Sequence, residues 1–139
     1  MNRLSQVGKS SRSKKIKRLD DIFSTFIRRR DCAPTGRCIS CGKPITFDTC
    51  DCGHFVNRKH MATRYDEKNC NAQCRSCNRF NEGSLYGYSK GLDDKYGAGT
   101  AERLHIKEFN VCKMSEVELD ILINYYKKKL NEQTDFKPF

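Results

Sequence analysis

The chain carries two C-x-x-C pairs, Cys38 with Cys41 and Cys74 with Cys77, separated by thirty-two residues. No other feature restricts its folding as strongly. A two-residue gap lets both thiolates of one turn reach a single ion, and two such turns complete a tetrahedral sulfur site. Four thiolates leave no position for water, so the expected ion is a structural Zn²⁺. The separation exceeds the usual ribbon spacing, so the ion should pin the two ends of an inserted unit. A staple is needed here. Hydrophobic residues make up only 37% of the 139-residue chain and Trp is absent, which points to a small apolar core.

The remaining cysteines leave alternatives open. Nine is an odd number and no apolar leader follows Met1, which argues against a secreted disulfide framework and for a cytoplasmic, reducing setting. No apolar run approaches the ~20 residues of a membrane span. Cys50, Cys52 and Cys70 compete as ligands. Cys50 and Cys52 fall on a predicted strand, where alternate residues share a face but make a poorer pincer than a turn. Cys32 and Cys112 read as ordinary small hydrophobes. A thiol-redox protein using Cys50 and Cys52 lacks the surrounding βαβ pattern.

Charge is unevenly placed. The formal net charge is +10, and residues 1–18 hold seven basic residues and no acid, including Lys14, Lys15, Lys17 and Arg18. A Ser- and Lys-rich stretch of this kind predicts a disordered tail that holds nucleic-acid phosphates or simply solubilises the chain.

Leu19, Ile22, Phe23, Phe26 and Ile27 recur at helical spacing, with Arg28–Arg30 at the far end, so a helix is predicted over 19–31. Pro34 and Gly36 break it. "ITFDTCDCGHFV" predicts a strand or hairpin, and a helix should begin near Cys74 or Arg75 and be interrupted at Gly83. A second amphipathic stretch runs from Leu85 to Tyr96. In "SEVELDILINYYKKKL", Ser115 and Glu118 form a capping box, with Lys127–Lys129 in the last turn. Val117, Ile121, Leu122, Tyr125 and Tyr126 give that helix an apolar face, for core packing or a homodimer interface.

The zinc site takes no histidine, which leaves His54 for other work. Asn69 follows it, and Asn78 comes directly after Cys77. A lone histidine is usually a hydrogen-bonded structural residue; this order of residues, threaded through two knuckles, changes that weighting. It resembles the HNH (His-Me finger) nucleases. Within them, "DCGHFVNRKHMATRYDEKN" followed by "NAQCRSCNRFNEGS" is similar to phage recombination proteins of the NinG (Rap) type, over roughly residues 19–97. The resemblance implies an α+β fold with a zinc-pinned ββα core flanked by helices. It divides the chain into a basic tail (1–18), a nuclease core (19–97) and a helical extension (98–139).

By the same resemblance, His54 deprotonates the attacking water and Asn69 braces the loop that orients it. Asn78 binds a Mg²⁺ or Mn²⁺ ion against the scissile phosphate, and the products carry 5′-phosphate ends. Many HNH enzymes place an Asp directly before the histidine, where this chain has Gly53. Asp51 is therefore taken as the second ligand, with His60, Asp66 and Glu82 as rivals. Three residues along a regular strand would turn Asp51 away from His54, and a bulge at Gly53 would rotate it back.

The residue types suit the chemistry. A metal neutralises charge growing on the phosphate, and a neutral imidazole with an ordinary pKa of ~6.5 accepts a proton near neutrality. Arg58, Lys59, His60, Arg64, Arg75 and Arg79 are candidate phosphate contacts, each equally readable as a solvated charge. The implied partner is branched DNA such as Holliday junctions and D-loops, with no small-molecule cofactor and no membrane. The rival is a non-catalytic zinc ribbon that binds nucleic acid, as a recombination mediator or transcription factor. It accounts for the charge and the four cysteines but not for the placement of His54, Asn69 and Asn78.

Overall fold

The computed structural model describes residues 3–135, with side chains from 11 to 133. Helices and two small antiparallel sheets make an α+β fold. Two compact units divide it, one of the described parts of Met1–Phe26 and Met114–Phe139, the other Ile27–Lys113.

Helix α1 spans Arg3–Asp31. Its basic first half is thus helical, not the disordered tail that its composition suggested. Met1, Asn2 and the side chains of Arg3 and Lys9 lie outside the described residues. The stretch contains no proline, and Lys, Arg, Ser and Gln are tolerated in a helix once neighbours hold it. Those neighbours come from α6, Glu116–Asp135, and the segment before it. Arg12 donates to the Met114 carbonyl, and Lys15 pairs with Asp120 at 3.0 Å. Leu19, Phe23, Phe26, Leu119, Ile123 and Tyr126 are buried. The Tyr126 ring lies 4.9 Å from Phe23, edge-on, and 5.2 Å from Phe26. The buried stripe of α6 is therefore Leu119–Ile123–Tyr126. Val117, Ile121 and Tyr125, assigned to the same face from the sequence, are exposed. Ser115 caps α6 through its hydroxyl, which accepts from the Glu118 N–H at 3.1 Å.

The second unit is built on two hairpins. β1 (Thr35–Arg37) pairs with β2 (Pro44–Thr46) around the first C-x-x-C turn. β3 (Cys50–His54) pairs antiparallel with β4 (Cys70–Cys74), Cys50 opposite Cys74 and His54 opposite Cys70. Between them lies the single helical turn α2, Met61–Arg64. β4 runs directly into α3, Arg75–Arg79, whose first turn carries the second C-x-x-C. Then follow α4, Leu85–Tyr96, and α5, Thr100–Lys107.

Helix α4 crosses the first knuckle closely. A Cβ on Gly87 or Gly91 would fall 2.2 Å from the Ser40 carbonyl and 2.0 Å from that of Ile39. Glycine one turn apart on this face is what lets the backbones meet. From the same helix Tyr88, fully buried, donates its hydroxyl to the Gly53 carbonyl at 2.6 Å, closing β3 against α4.

The end of α1 is fastened by ion pairs. Asp31 faces Arg30 at 2.8 Å and Lys95 at 2.9 Å, and accepts from the Ala72 N–H at 2.8 Å. Burial pushes its carboxyl up, but Arg30, Lys95 and that N–H outweigh it, so its pKa lies below the ordinary value. Arg30 also donates to the Glu67 and Cys70 carbonyls, and Arg28 stacks on Phe47 at 4.2 Å. These two arginines serve the fold.

Candidate metal centre and active site

The sulfur atoms of Cys38, Cys41, Cys74 and Cys77 lie within 4.8 Å of one another. A zinc ion with Zn–S bonds of ~2.3 Å needs sulfurs about 3.8 Å apart. Cys41 and Cys74 already stand 3.8 Å apart. The turns are built to aim sulfur inward: the Gly42 N–H donates to the Cys38 carbonyl, and the Cys77 N–H donates to the Cys74 thiol at 3.4 Å. Burial pushes the Cys38 thiol up, yet backbone contacts from Cys74, Cys41 and Ser40 outweigh it and leave its pKa below the ordinary value. Burial pushes the Cys77 thiol up to about 12. Three of the four are buried and Cys41 is exposed. The cluster fits a structural zinc.

Cys50 and Cys32 do not belong to it. Their sulfurs are 3.9 Å apart in an apolar cluster with Ile45 and Ala72, where both act as small core residues.

His54 ends β3. Its Nε2 lies 3.1 Å from the Arg64 carbonyl oxygen. A carbonyl only accepts, so Nε2 is the donor in this contact. Arg64 thereby contributes its backbone to the site, while its guanidinium donates to the Arg58 carbonyl at 2.9 Å.

Asn69 is wholly buried. Its Oδ1 accepts from the Val56 N–H at 2.8 Å, and its Nδ2 donates to the Val56 and Thr63 carbonyls at 3.1 Å each. One side chain thus ties both sides of the β3–β4 loop and sets the position of Arg64, which in turn holds His54.

Asp51 and Asn78 meet. The Asn78 amide donates to the Asp51 carboxylate at 3.0 Å, and Arg79 grips the same carboxylate in a fork at 2.8 and 3.0 Å. Arg75 stands 3.9 Å away and donates to the Asp48 carbonyl. Burial raises the Asp51 carboxyl, but Arg79 and Asn78 outweigh it and hold its pKa low. Of the rival ligands, Asp66 is taken by Lys107 at 2.8 Å, Glu82 is exposed, and His60 occupies the N-cap of α2.

The register of β3 and β4 is unbroken through all five pairs, so no bulge occurs at Gly53. Alternation then turns Asp51 and His54 to opposite faces of the hairpin. Gly53 has its own reason: a Cβ there would stand 2.0 Å from the Gln73 side-chain oxygen. An Asp at this position would collide with Gln73, itself anchored through Nε2 to Ser40 and the Gly83 carbonyl.

Arg58, Lys59, Arg75 and Arg79 are exposed in the second unit, as are Lys14, Lys17 and Arg18 on α1, while Lys15 is half-buried. Sequence reasoning missed Tyr88 and the Arg64 carbonyl. Neither has a local signal, since each acts through a contact distant in the chain or through backbone alone. It also missed a second grouping, in which Cys52, His54 and Cys70 bring their ligand atoms within 4.8 Å of one another.

Comparison with known proteins then places the chain. Protein ninG of Salmonella phage P22 is 30% identical over 131 residues, covering 89% of this chain and 60% of that protein. The ninG proteins of Escherichia phages 933W and lambda are 33% and 32% identical over 94 residues, covering 67% of this chain and 45% of theirs. The chain thus spans about half the length of the curated relatives it matches. No solved structure matches it. The family model described as Bacteriophage Lambda NinG protein matches residues 2–135, and the chain belongs to the NinG family.

Proposed function

We propose that this chain is a metal-dependent DNA endonuclease of the HNH (His-Me finger) type, acting on branched recombination intermediates such as Holliday junctions and D-loops. The observation that carries the proposal is that one hairpin and the helix after it carry both His54, braced through Asn69 and the Arg64 carbonyl, and an Asp51–Asn78 pair, beside the four-cysteine cluster. His54 presents Nδ1 as a base, because its Nε2 is engaged by the Arg64 carbonyl. Asn69 keeps that carbonyl in place through the loop. Asp51 and Asn78 would hold Mg²⁺ or Mn²⁺, which when bound neutralises charge on the phosphate. Arg79 must then release Asp51; with its side chain 54% exposed it can do so readily and turn to a phosphate. Arg58, Lys59, His60 and Arg75 would hold the DNA backbone. The exposed stripe Val117–Ile121–Tyr125 of α6 would supply a homodimer contact, checked by light scattering.

End-labelled four-way junction, D-loop and duplex DNA, each with Mg²⁺, Mn²⁺ or EDTA, test the reading. Metal-dependent cleavage should fall by about 10²- to 10⁴-fold in His54→Ala that retains its zinc. Substrates bound but never cut would support the second reading, a non-catalytic zinc module for nucleic acid. The placement of Asp51 and His54 on opposite faces of β3 favours that alternative.

A further inference from the structure

We propose that Cys52, His54 and Cys70 form a second metal site, separate from the four-cysteine cluster, for a thiolate-preferring divalent ion of the zinc class with one coordination position left to solvent. The antiparallel register builds it. Cys52 and His54 alternate onto one face of β3, and Cys70 stands directly opposite His54 on β4, so all three face the same side. Their ligand atoms lie within 4.8 Å of one another, close to the spacing of three corners of a zinc tetrahedron.

The surroundings are those of a ligand histidine. Metal-binding imidazoles commonly donate their second N–H to a backbone carbonyl, which fixes the ring and its tautomer. His54 makes a contact of this kind, its Nε2 lying 3.1 Å from the Arg64 oxygen. The Cys70 thiol donates to the same carbonyl at 3.4 Å, a contact it gives up on becoming a thiolate ligand. Cys70 is buried, whereas Cys52 and His54 are half-buried, which leaves a side open for water or another fourth ligand.

The donor set selects the ion. Two sulfurs and an imidazole favour zinc, cadmium or cobalt and discriminate against Mg²⁺ and Ca²⁺, which want oxygen. Binding deprotonates both thiols and releases their protons to solvent. The site does not depend on the nuclease reading. An ion bound there takes the lone pair that His54 needs as a base, so the base catalysis proposed above runs only while this site is empty.

The test is to exchange ¹¹³Cd²⁺, and in parallel Co²⁺, into the folded full chain by stepwise titration. Two ions per chain are expected, with one cadmium resonance typical of four sulfurs and a second shifted upfield by nitrogen. In a Cys52→Ser, Cys70→Ser double variant the second resonance should vanish while the four-sulfur one stays, which also reports that the fold survives. Without any substitution, the ¹⁵N-labelled His54 ring should shift only on the second equivalent. A single ion per chain, a second ion retained by the double variant, or an unmoved His54 ring would each overturn the site.

Discussion

The two metal-competent clusters sit at opposite ends of the same hairpin and differ in how they are made. Cys38, Cys41, Cys74 and Cys77 come as two local turns, each a pincer before any tertiary structure forms, and together they close a coordination sphere. Cys52, His54 and Cys70 have no local pincer. They exist as a group only because β3 and β4 pair in one register. A one-residue slip would send Cys52 and His54 to the other face. The first cluster therefore makes the fold, and the second is made by it.

The largest effect should come from breaking the first cluster. Structural zinc in small peptides contributes about 10–16 kcal/mol of apparent binding energy, which is also folding energy. Cys74→Ser, or a strong chelator, should abolish cooperative unfolding of the unit Ile27–Lys113, as read by circular dichroism and thermal melts. A folded, zinc-free unit would show that packing alone suffices.

Next comes Asp31, which ties α1 to β4 and α4 between the clusters. Asp31→Asn leaves Arg30 and Lys95 short of their partner and should cost about 3 kcal/mol near neutral pH. The folded pKa of Asp31 is depressed, so its contribution is fully present above the unfolded value of ~3.9 and is lost as pH falls through the folded one. The gap in stability between wild type and Asp31→Asn should be constant from neutrality down to mildly acidic pH and close at lower pH. Zinc release in acid affects both proteins alike. A gap that widens on acidification would refute the assignment.

Gly53→Ala tests the hairpin itself. Its Cβ would meet the Gln73 oxygen at 2.0 Å, and overpacking of this kind costs about 1–3 kcal/mol. Loss of the second cadmium resonance in this variant, with the first unchanged, would sharpen the distinction between the clusters. The smallest effect is expected for Cys52→Ser in protein holding only its first ion. Cys52 is half-exposed, so the change in stability should stay within about 0.5 kcal/mol by denaturant titration.

Much of this molecule was legible in its residues because the signals were local. The two C-x-x-C turns, the helix over Leu85–Tyr96 and the Ser115 cap each involve neighbours in sequence, and each stands where the spacing placed it. The basic stretch before Leu19 misled because charge without apolar spacing reads as disorder. Its helix is held by Met114 and Asp120, a hundred residues away. The face of α6 misled for a similar reason: Val117 and Ile121 are as apolar as Leu119 and Ile123, and only the position of α1 decides which pair is covered.

By itself, then, the sequence determined the chemistry on offer: a four-thiolate staple, an α+β arrangement around it, a histidine outside the staple, and membership of a family. Tertiary structure alone decided who that histidine's neighbours are. Strand register put Cys70 opposite it and turned Asp51 away, Asn69 held the loop whose carbonyl fixes its tautomer, and α4 closed over Gly53 through Tyr88. Each of these depends on pairing distances that no window of sequence contains, because a strand shows only which residues share a face, and the partner strand settles what that face meets.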